Sequence, residues 1–223
     1  MIFPLSPTFR IFTKTPIPPV HQFLETICIR DGHPMHLEWH QRRVDATLHH
    51  FYPDVPIEES TFPLLEILST CDIPQAGLFR CRILYDINAI AIDFFPYAPR
   101  HIHTLKLIEA PAGYDYRYKY ADRRILEDLF SQRGDADDIL INRNGWITDT
   151  SIANIAFRKG DRWYTPSIPL LAGTTWKRLV SNGILIPRPI HQDDVQRFDA
   201  FRIFNAMNEW GINEYSIKSI RID

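Results

Sequence analysis

Four short stretches carry side chains whose types and spacing suit chemistry. In Leu171-Ala172-Gly173-Thr174-Thr175-Trp176-Lys177-Arg178, a glycine precedes two threonines at a predicted helix start. Such a start offers unpaired backbone N–H groups, hydroxyls and the positive end of the helix dipole, which suit a phosphate. A plain threonine N-cap is the simpler alternative. In His40-Gln41-Arg42-Arg43, Arg43 falls on the inner side of its predicted helix, in line with Trp39 and Ala46. A guanidinium there needs an anion, because an unpaired buried charge is costly. A phosphate, or the carboxylate of a structural ion pair, would satisfy it.

The third stretch is Tyr116-Arg117-Tyr118-Lys119-Tyr120. A lysine among aromatic rings, near Arg117 and Arg123, is expected to lose basicity through desolvation and like charge. A neutral amine can form a Schiff base; the alternative is a solvated loop lysine. The fourth is Asn144-Gly145-Trp146-Ile147-Thr148-Asp149-Thr150-Ser151-Ile152-Ala153-Asn154. Here Asp149 could hold a protonated ring nitrogen while Thr150, Ser151 and Asn154 donate or accept nearby. A turn closed by Asx-type backbone bonds explains the same residues.

Composition narrows what these groups act on. The chain has 223 residues, with 25 Lys plus Arg against 27 Asp plus Glu, for a net charge of -2. That balance lacks the basic surplus of a nucleic-acid binder. Hydrophobic residues make up 45%, enough for a folded core and against disorder. No apolar run approaches the ~20 residues that span a bilayer, and the first residues lack a secretory signal's basic and apolar regions. Cys28, Cys71 and Cys81 form no C-x-x-C pair, so we expect reduced thiols and a cytoplasmic location. His33, His36 and His40, like His101 and His103, have no matching Cys or carboxylate set, so no metal site is expected.

The elements that must position these groups read as an α+β chain. The first twenty residues are Pro-rich and read as an extended strand or arm. His21–Arg30 alternates as a strand, Asp31-Gly32 is a hairpin turn, and Pro34–Leu37 is the returning strand. Helices are predicted over Glu38–His50, with Trp39, Arg43, Ala46 and His50 in line, and from Pro56, with Leu64, Leu65, Ile67 and Leu68 on its apolar side. Strands follow at Gly77–Tyr85, Ala89–Phe95 and Ile102–Ile108, with a linker at Pro96–His101. A helix is expected over Ala121–Gln132 and another over Thr174–Asn182. Further strands are expected at Asp138–Asn142, Ile152–Phe157, Arg162–Thr165, Ala200–Phe204 and Ser216–Ile222. The division is a small N-terminal α/β lobe (1–98) and a larger, β-rich C-terminal lobe (99–223).

Taken in order, the motifs resemble the class IV aminotransferases, two-lobed fold type IV enzymes that use pyridoxal 5'-phosphate (PLP). The carriers are Phe23-Leu24-Glu25-Thr26-Ile27, His40-x-x-Arg43, Lys119-Tyr120-Ala121-Asp122-Arg123, Asn144 to Asn154, and Leu171-Ala172-Gly173-Thr174-Thr175. The resemblance covers about residues 20 to 220. It implies that Lys119 is the Schiff-base lysine, that Arg43 holds the cofactor phosphate, and that Gly173, Thr174 and Thr175 form the phosphate loop. Asp149 stands where the family usually has Glu at the pyridine nitrogen, with Thr150 and Ser151 beside it. The stretch Asp199–Met207 is similar to the Phe-x-x-Asn-Ala-Leu segment of 4-amino-4-deoxychorismate lyases, which adds Asn205 toward the cofactor and Ala206 toward substrate. Glu25 and Arg123 are expected on the substrate side, and Arg123, Arg117 or Arg42 are candidates for its carboxylate.

The implied reaction is release of pyruvate and 4-aminobenzoate, a step toward folate. A class IV transaminase of branched-chain or D-amino acids is the alternative, and a non-catalytic α+β binding protein a lesser one. A small-molecule amine or amino acid would be the substrate. A homodimer is expected from the family.

Overall fold

A computed structural model describes residues 21–56 and 62–222, and the backbone of 9–12. The expected N-terminal arm, apart from that backbone, and the expected helix start at 57–59 lie outside the described residues. The chain divides into two compact units: residues 1–98 with 118–122, and residues 99–117 with 123–223.

The first unit is a five-stranded antiparallel sheet in the order β1-β5-β4-β2-β3. The strands are β1 (Phe9–Phe12), β2 (Phe23–Arg30), β3 (His33–Pro34), β4 (Leu78–Tyr85) and β5 (Ala89–Pro96). The β2–β3 hairpin turns on Asp31 and Gly32, with φ of 47° and 82°. Two consecutive positive φ values make the turn whose twist matches paired strands, and Asp-Gly is suited to it. The returning strand is only two residues long, because α1 (Leu37–Phe51) starts immediately after it.

Alternation along β2 buries Phe23, Glu25 and Ile27 on one face while Leu24 and Thr26 are half-buried on the other. Ile83, Tyr85, Ile92 and Phe94 extend the inner face, and Val44 and Leu48 of α1 pack on it. Each such side chain contributes roughly 1.5–3 kcal/mol through removal from water. The inner stripe of α1 is His40, Arg43, Val44, Thr47 and Leu48, whereas Ala46 and His50 are exposed. The expected stripe is therefore rotated, because Val44 and Leu48 take the apolar contacts. In α2 (Leu64–Ser69), Leu64, Ile67 and Leu68 are buried but Leu65 is 69% exposed.

One segment expected in the C-terminal lobe is paired within the first unit. Leu24 N–H donates to Lys119 O and Ala121 N–H donates to Gln22 O, both at 2.9 Å, and Tyr120 lies opposite Phe23. This bridge ties residues 118–122, Lys119 included, to the free edge of β2.

The second unit contains two sheets. One has the order β14-β6-β7-β8, from β6 (Leu105–Glu109), β7 (Asp138–Arg143), β8 (Trp146–Thr150) and β14 (Ile220–Arg221). The other has the order β11-β10-β9-β12-β13, from β9 (Asn154–Lys159), β10 (Arg162–Pro166), β11 (Ile186–Arg188), β12 (Ala200–Phe204) and β13 (Tyr215–Ser216). Leu105, Leu140, Ile147, Ile155, Phe157, Phe201 and Ile203 form its main core. The helices are α3 (Arg124–Ser131) and α4 (Thr174–Ser181). The expected final strand is broken by a 3-10 turn at Ile217–Ser219.

Candidate active site

In the first unit the predicted residues Glu25 and Arg43 bind each other. Arg43 Nε donates to Glu25 Oε1 and Nη2 donates to Oε2, both at 2.6 Å. His40 Nδ1 completes the cluster at 2.6 Å from Oε2. The i, i+3 spacing of His40 and Arg43 puts both on the α1 face that covers β2. Glu25 is 0% exposed, and its carboxylate lies inside the unit, held by Arg43 and His40. Burial would raise the Glu25 carboxyl, but the Arg43 charge and the donated hydrogen bonds outweigh it and hold the group at about 2. Burial lowers the basicity of His40 against the pull of Glu25. A neutral His40 then donates its Nδ1 proton to an acceptor-only carboxylate.

Lys119 lies between two rings packed on the first unit's core. The Tyr118 ring is stacked on His50 at 4.6 Å, and the Tyr120 ring is 5.6 Å from Phe23. The Lys119 charge is near enough to His40 to act against its protonation. Lys119 thus acts at a distance on one member of the Glu25–Arg43–His40 cluster. His40 is the member the motif reading left without a role. Its signal was available: an acid in the inward register of β2 requires inward donors.

In the second unit, Asp149 is buried at the end of β8. Asn154 Nδ2 donates to Oδ1 at 2.7 Å, and the Leu171 N–H donates to Oδ2 at 2.8 Å. Burial pushes the Asp149 carboxyl up to about 7, against the hydrogen bonds from Leu171 and Asn154. Asn154 Nδ2 also donates to Leu171 O at 2.8 Å, which fixes the loop leading into α4. A Cβ at Gly173 would collide with Asn154 Oδ1. Gly173 therefore lets the start of α4 sit against the Asp149–Asn154 pair. No acid occupies the first turn of α4, and Gly173 caps it without a side chain. Its leading N–H groups and positive dipole end suit an anion. Thr174 and Thr175 of that turn are buried.

Three further predicted residues grip the loop between β8 and β9. The Thr150 hydroxyl donates to Ala153 O and accepts from Ala153 N–H, both at 3.1 Å. Arg123 Nη2 donates to Ser151 O at 2.9 Å, and Nη1 donates to Tyr116 Oη at 3.2 Å. Asn205 Nδ2 donates to Ile152 O at 3.1 Å, while its Oδ1 accepts from Met207 and Asn208 N–H, each at 2.8 Å. Here Arg123, expected on the substrate, spends these bonds on Ser151 backbone and the Tyr116 hydroxyl, and Asn205, expected on the cofactor, spends its own on backbone. Ala206 is half-buried in the turn that Asn205 closes.

Among the described residues, no helix is long and apolar enough to cross a membrane. The sequence profile described as amino-transferase class IV matches residues 22–215. The chain is 36% identical over 192 residues to an uncharacterised protein of Haemophilus influenzae, covering 85% of this chain and 99% of that one. It is similar to the crystal structure of a protein of Haemophilus somnus provisionally named a 4-amino-4-deoxychorismate lyase, with 34% identity and a TM-score of 0.77, covering 85% and 98% of the two chains. An aminotransferase of Brucella abortus, solved with PLP bound, shares the fold at 14% identity and a TM-score of 0.67, over 84% and 78% of the chains. The matched profile, spanning most of the chain and all five motifs, places this protein in the class IV aminotransferases, a family of PLP-dependent enzymes.

Proposed function

We propose that the protein is a PLP-dependent lyase that converts 4-amino-4-deoxychorismate into 4-aminobenzoate and pyruvate. The observation that carries the cofactor part is Asp149. It is a buried acid raised to about 7, held by Asn154 and Leu171, with no cation paired to it among the described residues. Such a group is completed by a cationic ring nitrogen. The start of α4 at Gly173, Thr174 and Thr175, which no side chain caps, fits the phosphate of the same molecule. The lyase part is supported by the likeness to the Haemophilus somnus protein.

When bound, PLP supplies an electron sink for charge developing at the substrate carbon bearing nitrogen. Asp149 keeps the proton on the ring nitrogen. Gly173, Thr174 and Thr175 would hold the phosphate. Lys119 would hold the cofactor covalently, and its amine would carry the proton away from the aminated ring carbon. The C–O bond to the enolpyruvyl group then breaks, the ring becomes aromatic, and the departing group gains a proton to become pyruvate. Atoms balance without any co-substrate.

An absorbance scan of the protein with PLP tests the cofactor reading. A near-visible band lost in Lys119→Ala is expected, and no band in the wild type overturns the reading. Assay of pyruvate and 4-aminobenzoate without a 2-oxo acid tests the lyase; strict dependence on a 2-oxo acid identifies a transaminase instead.

A further inference from the structure

The three arginines expected to hold a substrate carboxylate have other partners. Arg117 grips Asp115, with Nη2 at 2.7 Å from Oδ2. Arg123 holds Ser151 O and Tyr116. Arg42 lies over the Trp39 ring at 4.9 Å. A fourth arginine, on β4, occupies a different setting.

Strand register puts Arg82 on the same sheet face as Lys119. Thr26, Arg82 and Asp93 form one cross-strand row. Lys119 lies opposite Leu24, and its neighbours Tyr118 and Tyr120 pack on the inner core. Alternation therefore sends Lys119 to the outer face, which carries Leu24, Thr26, Arg82, Leu84 and Asp93. Lys119 and Arg82 flank β2 on its two edges, about 7 Å apart along it and two strand spacings, about 9.5 Å, apart across it, so their backbones are about 12 Å apart. Their long side chains rise from the same face over Leu24 and Thr26, and a six-membered ring with an amine at one end and a carboxylate at the other is short enough to lie between them.

The electrostatics of the row are incomplete. The Arg82 side chain is 39% exposed and stands 3.9 Å from Asp93 Oδ2, too far for a hydrogen bond. The Asp93 side chain is buried, and its Oδ1 has no hydrogen-bond partner among the described residues. A buried carboxylate holds its counter-ion in place, which leaves the outer edge of the guanidinium directed at an incoming anion. Half-buried Leu24, Leu84 and Ala91 give the rest of the face an apolar surface for a ring.

We propose that Arg82, backed by Asp93, recognises the carboxylate on the ring of the substrate. This rests on the lyase reading above, since it needs an amine-bearing carboxylate presented to Lys119. The test compares binding of 4-aminobenzoate and aniline to the PLP-loaded protein by calorimetry, with the near-visible band recorded on the same samples. The wild type should bind 4-aminobenzoate at least about tenfold more tightly than aniline, as a charge-assisted contact provides. Arg82→Gln should bring the two within about twofold while the band persists, and Arg82→Lys should retain part of the preference. If Arg82→Gln does not fold, the double variant Arg82→Gln/Asp93→Asn removes both charges and carries the same comparison. A band with an unchanged preference in the variant, or no preference in the wild type, overturns this assignment alone. No band in the wild type overturns the PLP reading and this one with it.

Discussion

Asp149 and Asn154 are joined by a 2.7 Å hydrogen bond across the loop between β8 and β9, and this pair sets where α4 begins. Asn154 reaches Leu171 O, Leu171 N–H reaches Asp149, and Gly173 leaves room for Asn154 beside the helix start. A buried acid and a helix start suited to an anion are thus built as one unit.

The raised Asp149 carboxyl makes the cofactor-free protein sensitive to pH. Its folded value of about 7 lies above the ordinary 3.8. The folded state then holds the proton more tightly than the unfolded state. This contribution to stability is full below about pH 4 and is lost as pH rises through about 7. The loss is on the order of a few kcal/mol. Thermal melts of the apoprotein should show Asp149→Asn flattening the decline between pH 5 and pH 8. An identical decline in the variant would contradict the assignment.

Glu25 has the opposite sign. Its carboxyl is held at about 2, below the ordinary 4.5, so its contribution is full above pH 4.5 and is lost as pH falls toward 2. Glu25→Gln leaves the Arg43 guanidinium buried without its anion, at a cost of about 3–5 kcal/mol in urea unfolding at pH 7. His40→Ala removes one donor and should cost about 1–3 kcal/mol. A Glu25→Gln loss below about 1 kcal/mol would show the cluster to be weakly coupled to folding.

Gly173→Ala tests the seat of the phosphate. Backbone strain is not at issue, because Gly173 has φ of -62°. The added Cβ instead displaces Asn154, which must release Asp149 or Leu171. A packing conflict of about 1–3 kcal/mol corresponds to about tenfold or more in PLP affinity, read by titrating the near-visible band. Unchanged affinity would place the phosphate elsewhere.

Much of this was legible in the sequence where local chemistry decides. Asp31-Gly32 and Asn144-Gly145 specify their hairpins, because paired positive φ values at those positions admit few residues. The strand Ala200–Phe204 matches its expected bounds, since both of its faces are rich in apolar residues. What the sequence did not reveal was decided by distant partners. Nothing local shows that Glu25 takes Arg43, because the two are 18 residues apart and meet only when α1 covers β2. Arg123 and Asn205 match their motifs, but their hydrogen bonds run to loop carbonyls that only tertiary folding brings near. The strand Ile186–Arg188 went unseen because it contains a proline and lies at a sheet edge, where proline is tolerated.

The central claim is that Lys119 removes a proton from the aminated ring carbon so that the enolpyruvyl group leaves without an amino acceptor. The direct measurement is a time course of PLP-loaded protein with 4-amino-4-deoxychorismate and no 2-oxo acid, following 4-aminobenzoate and pyruvate together. We predict equal amounts of the two products, with formation reduced at least about 1000-fold in Lys119→Ala, the loss expected when both the covalent link and the proton carrier are removed. Absence of product until a 2-oxo acid is added, or product formed equally by Lys119→Ala, would contradict the account.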